Sequence, residues 1–350
     1  MDIKIGSLIA ALGVTLLSLS ANANADGVTE TPSIGESPDW IIVIHGGAGG
    51  TTRDDLSAAE EALLRQDLTA SLEAGAQLLR AGATGPEAIE AALAVLEDSP
   101  RFNAGRGAAL DEHGDARHDA SIMRGEDHAA GGIAASSRIK NPIAAARAVM
   151  ERTQNVLLQG DGADWFAANH ELAMADPHYF ITEKRRQMLR DKRAASPDEV
   201  ANNSTDESVF GTVGAVVLDT HGNLSAGTST GGRTNKRYGR VGDSPIIGAG
   251  TYASNTSCAV SGTGHGEFFM RWTVARDICA RVEFAGESLK RAAETVIIET
   301  LLAAGGTGGV IALDPAGNVV FVTTTANLKR GVMTSSTPAR VAVYSDEQVE

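Results

Sequence analysis

Aromatic residues make up only 4 % of this 350-residue chain, and it carries just two cysteines. Two cysteines exclude both a disulfide framework and a cysteine zinc site. Scarce aromatics beside 39 glycines imply a core filled largely by small residues and many turns that rely on glycine. Positive charge is short as well: 30 Lys plus Arg stand against 44 Asp plus Glu, a net charge of −14. That balance argues against nucleic acid or an anionic membrane as the main partner. Hydrophobic residues are 43 % and charged residues 21 %, so the chain as a whole is not of disordered composition. Its length suits two domains or one large α/β unit.

The one long apolar run lies at the start. Lys4 precedes Ile5 to Leu19, a stretch of about fifteen residues, short for a membrane span of roughly 20. Ala23-Asn24-Ala25 follows with the small-x-small pattern of a signal-peptidase site. Residues 1–25 therefore read as a signal peptide, and the mature protein is expected to be periplasmic or secreted, with no membrane-bound segment. Cys258 reads as strand and Cys279 as helix, and the expectation for them is two buried thiols.

Trp40 to Ile44 is a short apolar strand ending at His45-Gly46-Gly47-Ala48-Gly49. Leu64, Leu68, Leu72 and Leu79 repeat at helical spacing up to Gly82, a C-cap. Pro86 starts a second helix with Ile89, Leu93 and Leu96 on its inner face, and Pro142 opens a third through Arg152. Gly131 to Ser136 reads as a buried strand of small residues. Residues 183–208 are dense in charge, and the stretch from Ala194 lacks any apolar period, so about 183–211 reads as a mobile linker. A strand begins at once at Thr212 and turns through His221-Gly222-Asn223 into Leu224 to Ser229. Residues 267–284 and 287–303 read as helices, and Val310 to Leu313 pairs with Val319 to Val322 as a second hairpin. Hairpins plus helices point to a sheet core covered by helices.

The junction is unusual, because a charged linker runs into a core strand with only Gly211 for freedom. A threonine hydroxyl is a weak nucleophile that needs a base. An N-terminal threonine brings its own, an α-amino group of pKa roughly 7.7–8.0, close to the pH at which a general base works best. Such a terminus arises by cutting the chain. Glycine before threonine suits an N→O acyl shift, since it tolerates strained dihedrals and leaves its carbonyl open.

The neighbouring motifs decide the reading. Gly211-Thr212-Val213-Gly214, Gly227-Thr228-Ser229-Thr230-Gly231-Gly232, Gly239-Arg240-Val241-Gly242-Asp243-Ser244-Pro245 and Ser261-Gly262-Thr263-Gly264-His265-Gly266-Glu267 occur in one order and spacing, with His45 to Gly49 and Phe102-Asn103-Ala104-Gly105 upstream. Over residues 40–320 the sequence resembles the plant-type asparaginase and isoaspartyl peptidase family of N-terminal-nucleophile hydrolases. The resemblance implies an α+β fold, a four-layer αββα sandwich built from residues 26–211 and 212–350 after autocleavage between Gly211 and Thr212. It implies a dimer of the cleaved heterodimers. It makes Thr212 the catalytic threonine, Thr230 the hydroxyl that assists it, and Asn103 an asparagine that holds the site geometry. Arg240 becomes the grip on the substrate α-carboxylate and Asp243 the acceptor of its α-amine. Thr263 and Gly264 become oxyanion donors, and Gly266 a backbone contact to substrate. The loop carbonyls of Leu96, Glu97, Ser99, Phe102, Ala104 and Arg106 would hold a structural sodium ion, with no catalytic cofactor.

These residue types make chemical sense on their own. An aspartyl head group carries one carboxylate and one ammonium, which arginine and aspartate match. Thr212 would attack the side-chain carbonyl, amine or ammonia would leave, and water would hydrolyse the β-aspartyl ester. One stretch departs from the family: Thr323-Thr324-Thr325-Ala326-Asn327-Leu328 stands where members commonly read Phe-Asn-Thr-Glu-Gly-Met. His265 reads as a bland loop histidine. His113, Asp115, His118 and Asp119 cluster within seven positions but lack a helical i, i+4 pair, and read as a solvated loop rather than a metal site. Gly227 to Thr234 lacks the Gly-Lys-Ser/Thr ending of a phosphate loop, and Gly262-x-Gly264-x-Gly266 has the wrong spacing for a dinucleotide fingerprint. Two alternatives remain open at this point: a glycosylasparaginase-like amidase, and an uncut exported binding protein for small amino acids.

Overall fold

The computed structural model describes residues 27–194 and 211–349. The expected signal peptide and most of the expected linker lie outside these. The order of elements follows the hydrophobic pattern closely. Strand β1 is Val28–Glu30 and β2 is Ile41–Gly49; helices α1 (Ala58–Arg80) and α2 (Gly85–Asp98) follow. Both helices open on a capping box, Ser57 with Glu60 and Thr84 with Glu87, each satisfying otherwise orphaned N–H groups. Leu64, Leu68, Leu72 and Leu79 are all buried, and Gly82 sits just past the end of α1 with positive φ, as expected of a C-terminal glycine.

Strands β3 (His118–Arg124) and β4 (Ala130–Ser136), helix α3 (Pro142–Arg152), strand β5 (Leu157–Gln159) and helices α4 (Gly160–Asn169) and α5 (Glu183–Ala194) complete the first half. Beyond the junction come β6 (Val213–Leu218), β7 (Leu224–Thr230), β8 (Thr251–Ala253) and β9 (Ala259–Gly264). Helices α6 (Gly266–Arg271), α7 (Val274–Ala285) and α8 (Leu289–Glu294) lead to β10 (Gly308–Leu313), β11 (Val319–Thr323), β12 (Asn327–Thr334) and β13 (Arg340–Tyr344).

The strands form two sheets, an eight-stranded one in the order β13-β12-β2-β6-β7-β3-β4-β5 and a five-stranded one in the order β1-β11-β10-β9-β8. Period-two alternation sorts the side chains of β2. Ile42 and Ile44 pack with α1 and α2, while Ile41 and Val43 pack toward the second sheet with Val216, Val310 and Val322. Helices α1 to α3 thus cover one face of the large sheet, and α7 and α8 pack on the small one. A strand buried on both faces explains why β2 and β6 are apolar almost throughout.

Several expectations change. Strand β2 continues through His45 to Gly49 instead of ending at His45. The helix expected over 267–284 breaks at Trp272–Thr273, where Thr273 takes a positive φ. Residues 183–194, expected as the start of a linker, are helix α5; the buried Arg185 docks it by donating from Nε to the Gly107 carbonyl at 2.5 Å. Cys258 and Cys279 are joined as a disulfide rather than held as thiols, with Cα atoms 5.3 Å apart, a spacing that suits the bond. Among the described residues no helix is long and apolar enough to cross a membrane.

Candidate functional site

Thr212 immediately precedes β6 and is almost wholly buried. Its hydroxyl donates to the Gly211 carbonyl oxygen at 2.8 Å and lies 3.2 Å from the Thr230 hydroxyl. Two further donors reach the same carbonyl: Asn103 Nδ2 at 2.8 Å and Thr230 Oγ1 at 3.1 Å. Asn103 is itself fixed on every side. Its Nδ2 also donates to the Gly232 carbonyl at 2.7 Å, its Oδ1 accepts from Ala109 N at 2.7 Å, and its carbonyl accepts from Gly231 N at 2.9 Å. The Gly211–Thr212 bond therefore has a hydroxyl beside it and hydrogen-bond donors on its oxygen, the arrangement that stabilises a tetrahedral oxyanion.

The end of β2 explains how the chain comes so close. Gly47 has φ +101°, and a Cβ there would stand 3.0 Å from Gly211 Cα and 3.1 Å from Thr212 N. The next residue, Ala48, donates from its N–H to Thr263 Oγ1 at 3.2 Å. A hydroxyl that accepts from a backbone N–H keeps its own proton for another acceptor. Thr263 lies opposite Gly309 in the β9–β10 ladder, and Gly264 opposite Gly308. Gly264 has φ +149°, open only to glycine, and a Cβ there would sit 2.5 Å from Gly308 Cα. The stretch that departs from the family lies against this same strand end: Gly308 N donates to Thr324 Oγ1 at 3.1 Å, and Asn327 Nδ2 donates to the Gly49 carbonyl at 2.8 Å.

Arg240 and Asp243 meet across Gly266. A Cβ at Gly266 would stand 2.6 Å from Asp243 Oδ1 and 2.9 Å from Arg240 Nη2, and one at Gly242 would stand 2.7 Å from Arg240 Nη1. Sequence reasoning missed the group that orients the arginine. Glu267 accepts from Arg240 Nε at 2.9 Å and from Nη2 at 3.1 Å, which occupies one edge of the guanidinium and leaves the Nη1–Nη2 end facing the glycines. The only sequence signal was an acidic residue directly after the glycine motif, at the start of α6. Burial works to raise the Glu267 carboxyl, but the Arg240 hydrogen bonds and charge outweigh it and hold the group down to about 2. Asp243 is different. Burial pushes its carboxyl up to about 7 against the pull of Arg240, and its buried Oδ2 has no hydrogen-bond partner among the described residues. An anion so placed is ready for a cation that enters from outside.

A Gly266→Ala substitution should therefore leave the Gly211–Thr212 junction untouched while obstructing the space between Arg240 and Asp243. The expected result is a KM for aspartyl substrates raised by about tenfold or more, read from steady-state kinetics; an unchanged KM would place the substrate elsewhere.

Two buried features flank this centre. His45 Nε2 bonds Ser261 Oγ at 2.9 Å, and hydroxyls continue through Thr228 (2.7 Å), Thr251 (2.6 Å) and Ser121 (2.8 Å) to the Ser244 carbonyl at 2.6 Å. This chain crosses between the sheets from the strand beside Thr212 to the residue after Asp243. Burial pushes the His45 imidazole down to about 3, so it stays neutral in the chain. Lys236 is likewise buried and ties the Thr230–Gly232 turn, donating from Nζ to the Gly231 and Arg117 carbonyls at 2.7 and 2.8 Å.

His118 and Asp119, expected in a solvated loop, are buried in β3 at 0 % and 1 % exposure, while His113 and Asp115 are exposed. Asp119 pairs across the ladder with Thr230, so the segment backs the site instead of facing water. His265 is half-buried, its imidazole lowered first by burial and then by Arg233. In the loop after α2, a Cβ at Gly105 or Gly107 would collide with the carbonyl oxygens of Glu97 and Phe102, so both oxygens face the inside of the loop. The Leu96 and Ala104 carbonyls each accept one backbone N–H, from Ser99 at 3.3 Å and Gly107 at 3.1 Å. Among the described residues no three His, Cys, Asp or Glu side chains gather as metal ligands. Backbone carbonyl oxygens of this kind suit a hard cation better than a transition metal.

Residues 38–343 match the family model described as asparaginase. Isoaspartyl peptidase of Salmonella typhimurium is 45 % identical over 284 residues, covering 80 % of this chain and 91 % of that protein. Isoaspartyl peptidase of Escherichia coli is 43 % identical over 293 residues, 83 % of this chain and 91 % of that protein. Isoaspartyl peptidase/L-asparaginase of Homo sapiens is 37 % identical over 288 residues, 82 % of this chain and 91 % of that protein.

Proposed function

Because this chain belongs to the asparaginase family, we propose that it is an isoaspartyl peptidase/L-asparaginase, activated by its own cleavage and acting through Thr212. The observation that carries this reading is the convergence of Asn103, Thr230 and Thr212 on the Gly211 carbonyl. In the cleavage step Thr212 Oγ1 adds to the Gly211 carbonyl carbon, the C–N bond breaks with the proton passing to nitrogen, and water hydrolyses the resulting ester. Gly211 keeps the new carboxylate and Thr212 the new amine. Asn103 and Thr230 hold the oxyanion meanwhile, a contribution typically of about 2.7–4 kcal/mol per donor.

Turnover reuses the hydroxyl. The free end of Arg240 takes the substrate α-carboxylate, and Asp243 takes the ammonium. The Thr212 amine removes the hydroxyl proton as Oγ1 attacks the side-chain carbonyl, with Thr263 Oγ1 and the Gly264 N–H donating to the oxyanion. The leaving amine or ammonia receives that proton, and water then releases L-aspartate. Family members of this type fold as a four-layer αββα sandwich and assemble as dimers of cleaved heterodimers; the two facing sheets with helices outside them support that architecture here. The carbonyls of Leu96, Glu97, Ser99, Phe102, Ala104 and Arg106 would hold sodium, which supplies rigidity to the loop carrying Asn103 and no chemistry to the reaction. The Cys258–Cys279 disulfide supports export of the chain to an oxidising compartment.

The reading is tested by release of L-aspartate from L-asparagine and β-aspartyl-leucine across pH. Two groups must lose a proton before catalysis: the Thr212 amine, near roughly 7.7–8.0 when unperturbed, and Asp243, pushed up to about 7. Protonation removes the base in one case and the ammonium acceptor in the other, so kcat/KM should rise from about pH 6 to pH 8. A flat profile between about pH 5 and 9 would require a different base.

A further inference from the structure

Glu267 holds Arg240 from α6, and a second, buried carboxylate acts on the clamp from β3. Asp119 lies opposite Thr230 in the β3–β7 ladder and is 1 % exposed. Alternation along β3 puts its side chain on the same face as that of Ser121, whose hydroxyl donates to the Ser244 carbonyl at 2.6 Å. Strand β3 therefore packs against the turn that carries Arg240 and Asp243. Asp119 Oδ1 accepts from Ala135 N at 2.8 Å, while its buried Oδ2 has no hydrogen-bond partner among the described residues. Asp243 Oδ2 stands in the same condition.

Charge explains why a carboxylate stands there. Lys236 is buried with its Nζ on two carbonyls, and a buried ammonium needs an anion nearby. Burial pulls that ammonium down to about 8, and Asp119 is the acidic group that resists this most, ahead of Asp111. Burial in turn pushes the Asp119 carboxyl up, while Lys236, the Ala135 N–H, Arg240 and the Gly242 N–H favour its ionised form. Beyond burial, Asp243 is acted on by Arg240 from its own turn, Glu267 from α6 and Asp119 from β3. We propose that Asp119 is a positioning residue of the clamp: it steadies the Arg240–Asp243 turn through Gly242 and lends a second negative charge to the place where the substrate ammonium docks. Asp243 takes the ammonium directly and Asp119 acts through it, a role that presupposes the hydrolase reading of the same site.

Two inhibitors separate charge from architecture: L-aspartate, which carries the ammonium, and succinate, which keeps both carboxylates and lacks it. Their inhibition of β-aspartyl-leucine hydrolysis is measured for wild type and for Asp119→Asn, whose amide oxygen can still accept from Ala135 N. At about pH 8 the variant should bind L-aspartate about fivefold or more weakly and succinate no more weakly. The pH at which L-aspartate binding fades on acidification should move downward, because the Asp119 charge raises the Asp243 carboxyl. Equal weakening of both inhibitors overturns the proposal by making Asp119 a support of the fold alone. An unmoved acid limb overturns it too, since Asp119 would then lend no charge to Asp243. If Asp119→Asn does not accumulate as folded protein, Asp119→Ser takes its place, and failure of both to fold counts as the structural outcome. A wild type that binds L-aspartate no better than succinate overturns the proposal without any variant. One that hydrolyses no β-aspartyl-leucine removes the hydrolase reading itself, and this role with it.

Discussion

Thr212→Ala is expected to remain one uncut polypeptide and to lose turnover of aspartyl amides by at least about 10³-fold. The methyl group left in place of the hydroxyl cannot add to the Gly211 carbonyl, so both the cut and the later acyl transfer lose their nucleophile. The fold itself should survive. Among the described residues Thr212 hydrogen-bonds only to Gly211 and Thr230 through its side chain, and the β2–β6–β7 ladders around it are built from backbone. A denaturing gel and an aspartate-release assay check both halves together. A Thr212→Ala chain that is still processed would exclude a threonine-driven cut.

Arg240→Ala should spare the cut and damage turnover. The guanidinium is not among the groups on the Gly211 carbonyl, so processing should proceed. The substrate α-carboxylate, however, would meet Glu267 without its neutralising partner, replacing attraction by repulsion. Loss of kcat/KM for β-aspartyl-leucine by about 10²-fold or more is expected, carried mainly by KM. The acid limb of the pH profile should also move upward, because Arg240 pulls the Asp243 carboxyl down and its removal leaves burial and the Glu267 charge with less to oppose them. Arg240→Lys should not rescue, since an ammonium cannot hold Glu267 through two bonds and still present a paired edge. Unchanged efficiency in the alanine variant would end the clamp role.

The parts of the site legible in the sequence are those where glycine marks a close approach. Gly264 and Gly266 stand where a side chain would collide and Gly211 where one would crowd the Asn103 side chain at 3.1 Å, and the reactive residues are their neighbours. Strand and helix patterns were equally readable for β6, β7, α1 and α2, whose apolar positions face one core or the other. Pairings between distant residues were not. Glu267 lies 27 positions from Arg240, and nothing local to either announces that they share two hydrogen bonds. His118 and Asp119 look polar and solvated until β3 is placed between β4 and β7, where both are covered. Helix α5 was hidden for a related reason: its charge density suggests a solvated linker, yet it docks through Arg185 on the Gly107 carbonyl and through Leu189, packed with Ala108, Leu110, Ala116 and Phe180. The disulfide depended on β9 and α7 packing together, a contact the sequence does not encode locally.

Intact mass spectrometry of freshly purified wild-type protein, taken alongside an activity assay on the same sample, bears most directly on the central claim. The account predicts two fragments, the second starting at Thr212, with activity rising as they accumulate. Full aspartyl-amide hydrolysis by a single unbroken chain would contradict it.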